Sequence, residues 1–141
     1  MTRLKKVLVP IDGSPNSLRA LAYVVRQNAK HHRSRIHLIN IQPRLPRSLF
    51  VTRAMISEYH LTQSEAALVL ARRLLAKSRL SAEESVAVGD PADTILKIAK
   101  RLQCDELVMG TRGLGSLKGL LLGSVTTKVL HLARMPVTVI P

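Results

Sequence analysis

Val7-Leu8-Val9-Pro10-Ile11-Asp12-Gly13-Ser14-Pro15 is the stretch on which the reading of the fold turns. Its first five residues form a short continuous apolar run rich in β-branched side chains, the pattern of a strand buried on both faces of a parallel sheet. Pro10 fits only at the strand end, because proline cannot donate to a ladder. Asp12-Gly13-Ser14-Pro15 then reads as a turn that flows into a helix, with Ser14 as N-cap and Pro15 at the first helical position. Leu18, Leu21, Ala22, Val25 and Ala29 follow at helical spacing.

The same alternation continues along the chain. Ile36 to Ile41 reads as a second strand, ended by Pro43 and Pro46. Thr52 to Ser78 is the longest helix, with Ala67, Leu68, Ala71, Leu74 and Leu75 as its apolar stripe and Arg72, Arg73 and Lys77 opposite. Ser85 to Val88 is a short, weak strand, and Gly89-Asp90-Pro91 repeats the cap and N1-proline logic before a helix marked by Ile95, Ile98, Ala99 and Leu102. Glu106 to Met109 is the fourth strand, Ser124 caps a helix through Val125, Val129 and Leu132, and Pro136 leads into a last strand, Val137 to Ile140. The order β-α-β-α-β-α-β-α-β calls for an α/β fold: one open, doubly wound, five-stranded parallel sheet with helices on both faces, since parallel neighbours need right-handed crossovers. Residues 1–141 show no linker, repeat or low-complexity tract and fit one domain. Ligands in such folds bind beyond the carboxyl ends of the strands, where Asp12-Gly13-Ser14, Gly89-Asp90 and the segment from Gly110 lie.

That last segment carries the chemistry. Gly110-Thr111-Arg112-Gly113 follows the strand Leu107-Val108-Met109, and nine residues later Gly123-Ser124 opens a helix. Gly110, Gly113 and Gly123 permit positive φ and let backbone N–H groups face an anion. The helix start adds unpaired donors and a positive dipole end. Ser124 and Thr126 supply hydroxyls able to donate to phosphate oxygens, and Arg112 and Lys118 supply charge. A phosphate chain is the expected guest. The P-loop run G-x-x-x-x-G-K-[ST] and the dinucleotide pattern G-x-G-x-x-G are both absent from the places they would occupy.

Gly110-x-x-Gly113, nine residues, Gly123-Ser124 resembles the ATP-binding motif G-x2-G-x9-G-[ST] of the universal stress protein family. Val7 to Ser14, Gly89-Asp90-Pro91, Leu107 to Gly110 and Pro136 to Val139 are similar to other marked stretches of that family, in the same order, so the resemblance spans the chain. It implies an adenine-nucleotide-binding domain, dimeric through the strand 137–140 and cytoplasmic, with ATP accompanied by Mg2+ or Mn2+. Carried over by position, Pro10, Ile11, Asp12 and Ile41 would contact adenine and ribose, and Met109, Gly110, Arg112, Gly113, Gly123, Ser124, Val125 and Thr126 would surround ribose and phosphates. A carboxylate at a strand end suits ribose hydroxyls, the favoured reading; the alternative for Asp12 is a plain Asx-type turn before the helix. Asn40 departs from the family pattern, standing where many relatives carry histidine. The role implied is stress response or signalling by nucleotide-dependent conformational or partner switching, with an apolar loop of Leu114, Leu117, Leu120, Leu121 and Leu122 that bound nucleotide would order.

Charge suggests a second class of partner. Lys and Arg number 22 against 9 Asp and Glu, a formal net charge of +13. Residues 1–57 hold eleven of the basic residues and a single acid, Asp12, so this basic region is the expected site of any nucleic acid or other polyanion. Nucleotide is the favoured reading. Phe50, Tyr23 and Tyr59 are too few aromatics for a stacking platform. No apolar run reaches the roughly 18 residues a membrane span needs, and Asp12 ends the first apolar run far short of a signal segment. Cys104 is the only cysteine and reads as an inert, buried thiol. His31, His32, His37, His60 and His131 form no metal spacing and read as surface or helix-end residues. Glu83 and Glu84, adjacent in an extended segment, point to opposite faces and cannot share a proton. With no good general base, ATP hydrolysis is expected to be slow or absent.

Overall fold

The computed structural model describes residues 3–31, 33–48, 50–112 and 122–141. Chain order is β1 (Lys5–Pro10), α1 (Pro15–Lys30), β2 (Ser34–Gln42), α2 (Arg53–Lys77), β3 (Ala82–Val88), α3 (Pro91–Arg101), β4 (Glu106–Gly110), α4 (Ser124–Leu132) and β5 (Val137–Ile140). The strands form one five-stranded sheet in the order β3-β2-β1-β4-β5. All four pairings are parallel, with Val9 opposite Leu38 and Leu8 opposite Leu107.

Strand alternation sends successive side chains of the central strands into two separate cores. Val7, Val9, Ile36, Leu38 and Val108 pack with Ala20, Leu21 and Val24 of α1 and Leu68, Ala71 and Leu75 of α2. Leu8, Ile39, Leu107 and Met109 pack on the other face with Ala92, Ile95 and Ile98 of α3 and Val129 of α4. Leu8, Val9, Leu38, Ile39 and Leu107 are fully buried, and each stabilises the fold by about 1.5–3 kcal/mol relative to exposure. This is why the β1 and β2 runs read as continuously apolar.

The caps follow the local chemistry. Ser14 Oγ accepts from Ser17 N–H, Thr52 Oγ1 from Met55 N–H, and Asp90 from Asp93 N–H, each satisfying an otherwise orphaned helix donor. α4 differs from expectation: its N-cap is Gly123 and Ser124 is the first helical residue, with no side-chain cap bond. β3 begins three residues earlier than its pattern suggests, because it is an edge strand. One side lacks a neighbour, so Val86 and Val88 stay 49% and 45% exposed and the apolar signal is thin. As expected, Glu83 and Glu84 diverge: Glu83 pairs with Arg35 and Glu84 with Arg72. Two histidines are not surface residues. His37 and His60 are buried, His60 Nε2 lying 2.8 Å from the Pro43 carbonyl oxygen and His37 Nε2 2.7 Å from Ser85 Oγ.

Candidate functional site

β1 leads through α1 to β2 on one side of the sheet, whereas β3 leads through α3 back to β4 on the other side of β1. The chain therefore departs in opposite directions at the carboxyl ends of β1 and β4, and that divergence opens a crevice. Asp12 stands at one lip and Gly110-Thr111-Arg112 at the other.

The β1 lip is a rigid turn. Gly13 adopts φ +86°, a conformation that disfavours any side chain, and Asp12 Oδ1 accepts from Ser14 N–H at 2.9 Å. This is the Asx turn that the sequence allowed, and it aims the Asp12 carboxylate from a fixed backbone. The strand end below is held from β2: Ile11 N–H donates to the Ile39 carbonyl at 2.8 Å, and Asn40 Nδ2 donates to the Ile11 carbonyl at 2.7 Å. Gln42 Nε2 completes the chain by donating to Asn40 Oδ1 at 2.7 Å. Asn40, 1% exposed, thus uses its amide to pin the Asp12 turn.

The β4 lip is built on close approach. A Cβ on Gly110 would lie 2.8 Å from the Asn16 carbonyl oxygen and 2.9 Å from its carbonyl carbon, so glycine lets the start of α1 sit against the strand end. Gly110 does not have positive φ, which corrects the expectation; contact, not dihedral freedom, requires glycine there. Gly123 likewise has φ −75° and ψ 167°, an ordinary extended conformation. Asn16 Nδ2 donates to Thr111 Oγ1 at 3.0 Å across the two lips, and the Arg19 guanidinium holds Asn16 Oδ1 in turn. Gly123 N–H donates to the Thr111 carbonyl at 2.7 Å, which fixes the start of α4 against β4.

Thr126 corrects a second expectation. It is buried and its hydroxyl donates to the Gly110 carbonyl at 2.9 Å, so that proton is committed to the scaffold and is not offered to a phosphate. Ser124 is exposed at the first turn of α4. Ile11 and Met109 bury their side chains in the two cores, leaving only backbone for a ligand. Pro10, Ile41, Arg112, Gly123 and Val125 are half-buried. Gly113, Lys118 and all the loop leucines except Leu122 lie outside the described residues, and Leu122 is 37% exposed.

The third carboxyl-end turn joins the framework. Gly89 N–H donates to the Gln42 carbonyl at 3.0 Å, and Lys128 of α4 reaches Asp90 and Asp93 at 3.2 and 3.3 Å. The Asp93 backbone N–H, then Lys128, hold the Asp90 carboxyl below its usual range. Among the described residues no three His, Cys, Asp or Glu side chains gather as metal ligands. A divalent ion at the crevice would therefore have to be held mainly by a ligand's own phosphates and by water. Burial pushes the Cys104 thiol up, the direction of an unreactive cysteine. The sequence motifs do not single out Asn16, Asn40 and Gln42 as framework residues. The available signal was polar residues inside or beside otherwise apolar runs, which demand buried partners.

Known proteins resemble the chain along its whole length. The family model described as Universal stress protein family matches residues 3–141. Universal stress protein YxiE of Bacillus subtilis is 31% identical over 145 residues, covering 96% of this chain and 97% of the relative. Universal stress protein MJ0531 of Methanocaldococcus jannaschii is 29% identical over 139 residues, covering 96% and 81%. Among solved structures, universal stress protein UspA from Lactobacillus plantarum superposes with a TM-score of 0.84 at 23% identity over 100% of both chains. MJ0577 gives a TM-score of 0.78 at 27% identity over 99% and 96%. The universal stress protein from Archaeoglobus fulgidus in complex with dAMP gives 0.69 at 20% identity over 100% of both chains. No helix among the described residues is long and apolar enough to cross a membrane.

Proposed function

The chain belongs to the universal stress protein family, and from that premise we propose that it binds ATP in the β1/β4 crevice and acts in stress response or signalling as a nucleotide-dependent switch. The observation that carries this reading is the Gly110–Asn16 approach. It brings the Asp12 turn, the β4 end and the α4 N-terminus around one crevice, although they are far apart in sequence. Asp12 would accept from ribose hydroxyls, and the α4 N-terminus with Ser124 would meet phosphate oxygens. Arg112 would supply positive charge. Gly113 belongs to the same cradle by the motif's spacing. Mg2+ or Mn2+ would accompany the phosphates. A family member solved with dAMP supports the adenine part of the reading. The sequence motifs bring no general base with them, so hydrolysis would be slow or absent. β5 is an edge strand with open backbone groups, which supports a homodimer formed along residues 137–140. The protein would work in the cytoplasm.

Calorimetric titration of nucleotide-stripped protein with ATP and magnesium tests this. Binding is expected, weakened at least fivefold in Ser124→Ala, while the melting temperature of the ligand-free protein stays within about 2 °C because Ser124 makes no cap bond. No heat up to millimolar ATP would remove the proposal.

A further inference from the structure

All strands are parallel, so the strand starts and the helix C-termini share one end of the domain, opposite the Asp12–Gly110 crevice. The charge of the molecule is unevenly divided between these ends. At the strand-start end the acids are already matched: Asp105 with Arg3, Glu106 with Lys5, Glu83 with Arg35 and Glu84 with Arg72, at 2.6–3.0 Å. Lys30, Arg33, Lys77 and Arg79, around the ends of α1 and α2, are exposed and make no ion pair among the described residues. The same holds for Lys100, Arg101 and Arg134, around the ends of α3 and α4.

Part of this excess compensates helix dipoles, since Lys30, Lys77, Lys100 and Arg101 sit in last turns. The four helix C-termini contribute about −0.5 charge each, about −2 together, which leaves most of seven unpaired cations unmatched. Arg33, Arg79 and Arg134 lie beyond the helix ends and have no dipole to serve. Not all cations of the basic 1–57 region lie at this end. Arg44, Arg47 and Arg53 follow β2 toward the crevice, whereas residues 77–134 add cations to the strand-start end.

We propose that this end is a second binding surface, for the sugar–phosphate backbone of nucleic acid, distinct from the nucleotide crevice. Arg and Lys from separate helix ends and the loops that follow them suit a line of phosphates, and Arg forks match phosphate oxygens in pairs. The surface lacks what other occupants need. A membrane would call for aromatic and apolar anchors, yet the exposed Phe50, Met55, Tyr59 and Leu61 belong to the first half of α2 and its entry, and at this end only Leu4, Leu130 and Leu132, none of them aromatic, are exposed large hydrophobics among the described residues. With no exposed aromatic at this end among the described residues to stack on bases, recognition is independent of sequence and suits duplex.

Anisotropy of a labelled 20-base-pair duplex, titrated from 50 to 200 mM KCl, tests the surface. Micromolar binding at 50 mM is expected, falling steeply with salt. The triple variant Arg33→Gln/Arg79→Gln/Arg134→Gln should weaken it at least tenfold and flatten the log–log salt slope by about 2.7, from about 0.9 per lost phosphate contact. Its ATP affinity should be unchanged, which separates this outcome from failure of the nucleotide reading. Arg44→Gln/Arg47→Gln/Arg53→Gln removes equal charge at the other end and should weaken duplex binding less than threefold. Equal loss in both triples, no binding at 50 mM, equal competition by polyglutamate, or capture by phosphatidylserine vesicles without duplex binding would each overturn the proposal.

Discussion

Replacing Gly110 by alanine perturbs the contact on which the crevice depends. The new Cβ meets backbone, 2.8 Å from the Asn16 oxygen and 2.9 Å from its carbonyl carbon, so no rotamer change relieves it and α1 must shift. Overpacking of this kind costs about 1–3 kcal/mol. Two rigid contacts put it near the upper half, about 2–3 kcal/mol, and the loss of glycine entropy from the unfolded chain returns about 0.4–1. A net destabilisation of about 1–2.6 kcal/mol remains. For 141 residues the unfolding entropy is about 0.3 kcal/mol/K, so the melting temperature should fall by roughly 3–9 °C. Moving α1 also stretches the 3.0 Å Asn16–Thr111 bond that spans the lips, so ATP affinity should fall at least tenfold. Calorimetry, by scanning and by titration, reads both quantities. A variant that melts within 1 °C of the parent and binds ATP equally well would refute the close-approach argument.

Thr126→Val keeps the shape and leaves the Gly110 carbonyl without its 2.9 Å donor; denaturant melts should show a loss of about 1–3 kcal/mol, largely restored in Thr126→Ser. Burial lowers the His37 pKa in the folded protein, outweighing the attraction of Glu83. The unfolded chain then binds the proton more readily. Stability is full above the ordinary histidine pKa of about 6.5 and declines as pH falls below it, by at most about 1.4 kcal/mol per pH unit. In His37→Gln, urea melts between pH 7 and 5 should show a shallower decline.

Much of this fold is legible in the sequence. Val7–Ile11 and Ile36–Ile41 are apolar at successive positions because both faces of a central parallel strand are covered, and that pattern is local in sequence. Ser14, Thr52 and Asp90 cap as their types and positions dictate, since a cap bond spans only three residues. β3 reads short in the sequence because its register comes from β2 and its edge position demands few apolar side chains. The α4 cap differs from its sequence reading for a related reason: a serine beside a glycine is ambiguous until backbone angles decide which residue enters the helix.

Sequence spacing by itself determined that β1, β4 and the start of α4 carry the ligand-facing segments, because glycines, caps and strand ends are local signals. Only the tertiary structure decided the roles within them. Gly110 is required by Asn16, the Thr126 hydroxyl is spent on the Gly110 carbonyl, and Asn40 holds the Asp12 turn. The distribution of charge was decided there too: cations scattered from residue 30 to 134 gather at one end because parallel strands and their crossover helices return every strand start to the same side. Each of these depends on which distant atom arrives within about 3 Å, and that distance is set by the packing of the whole sheet.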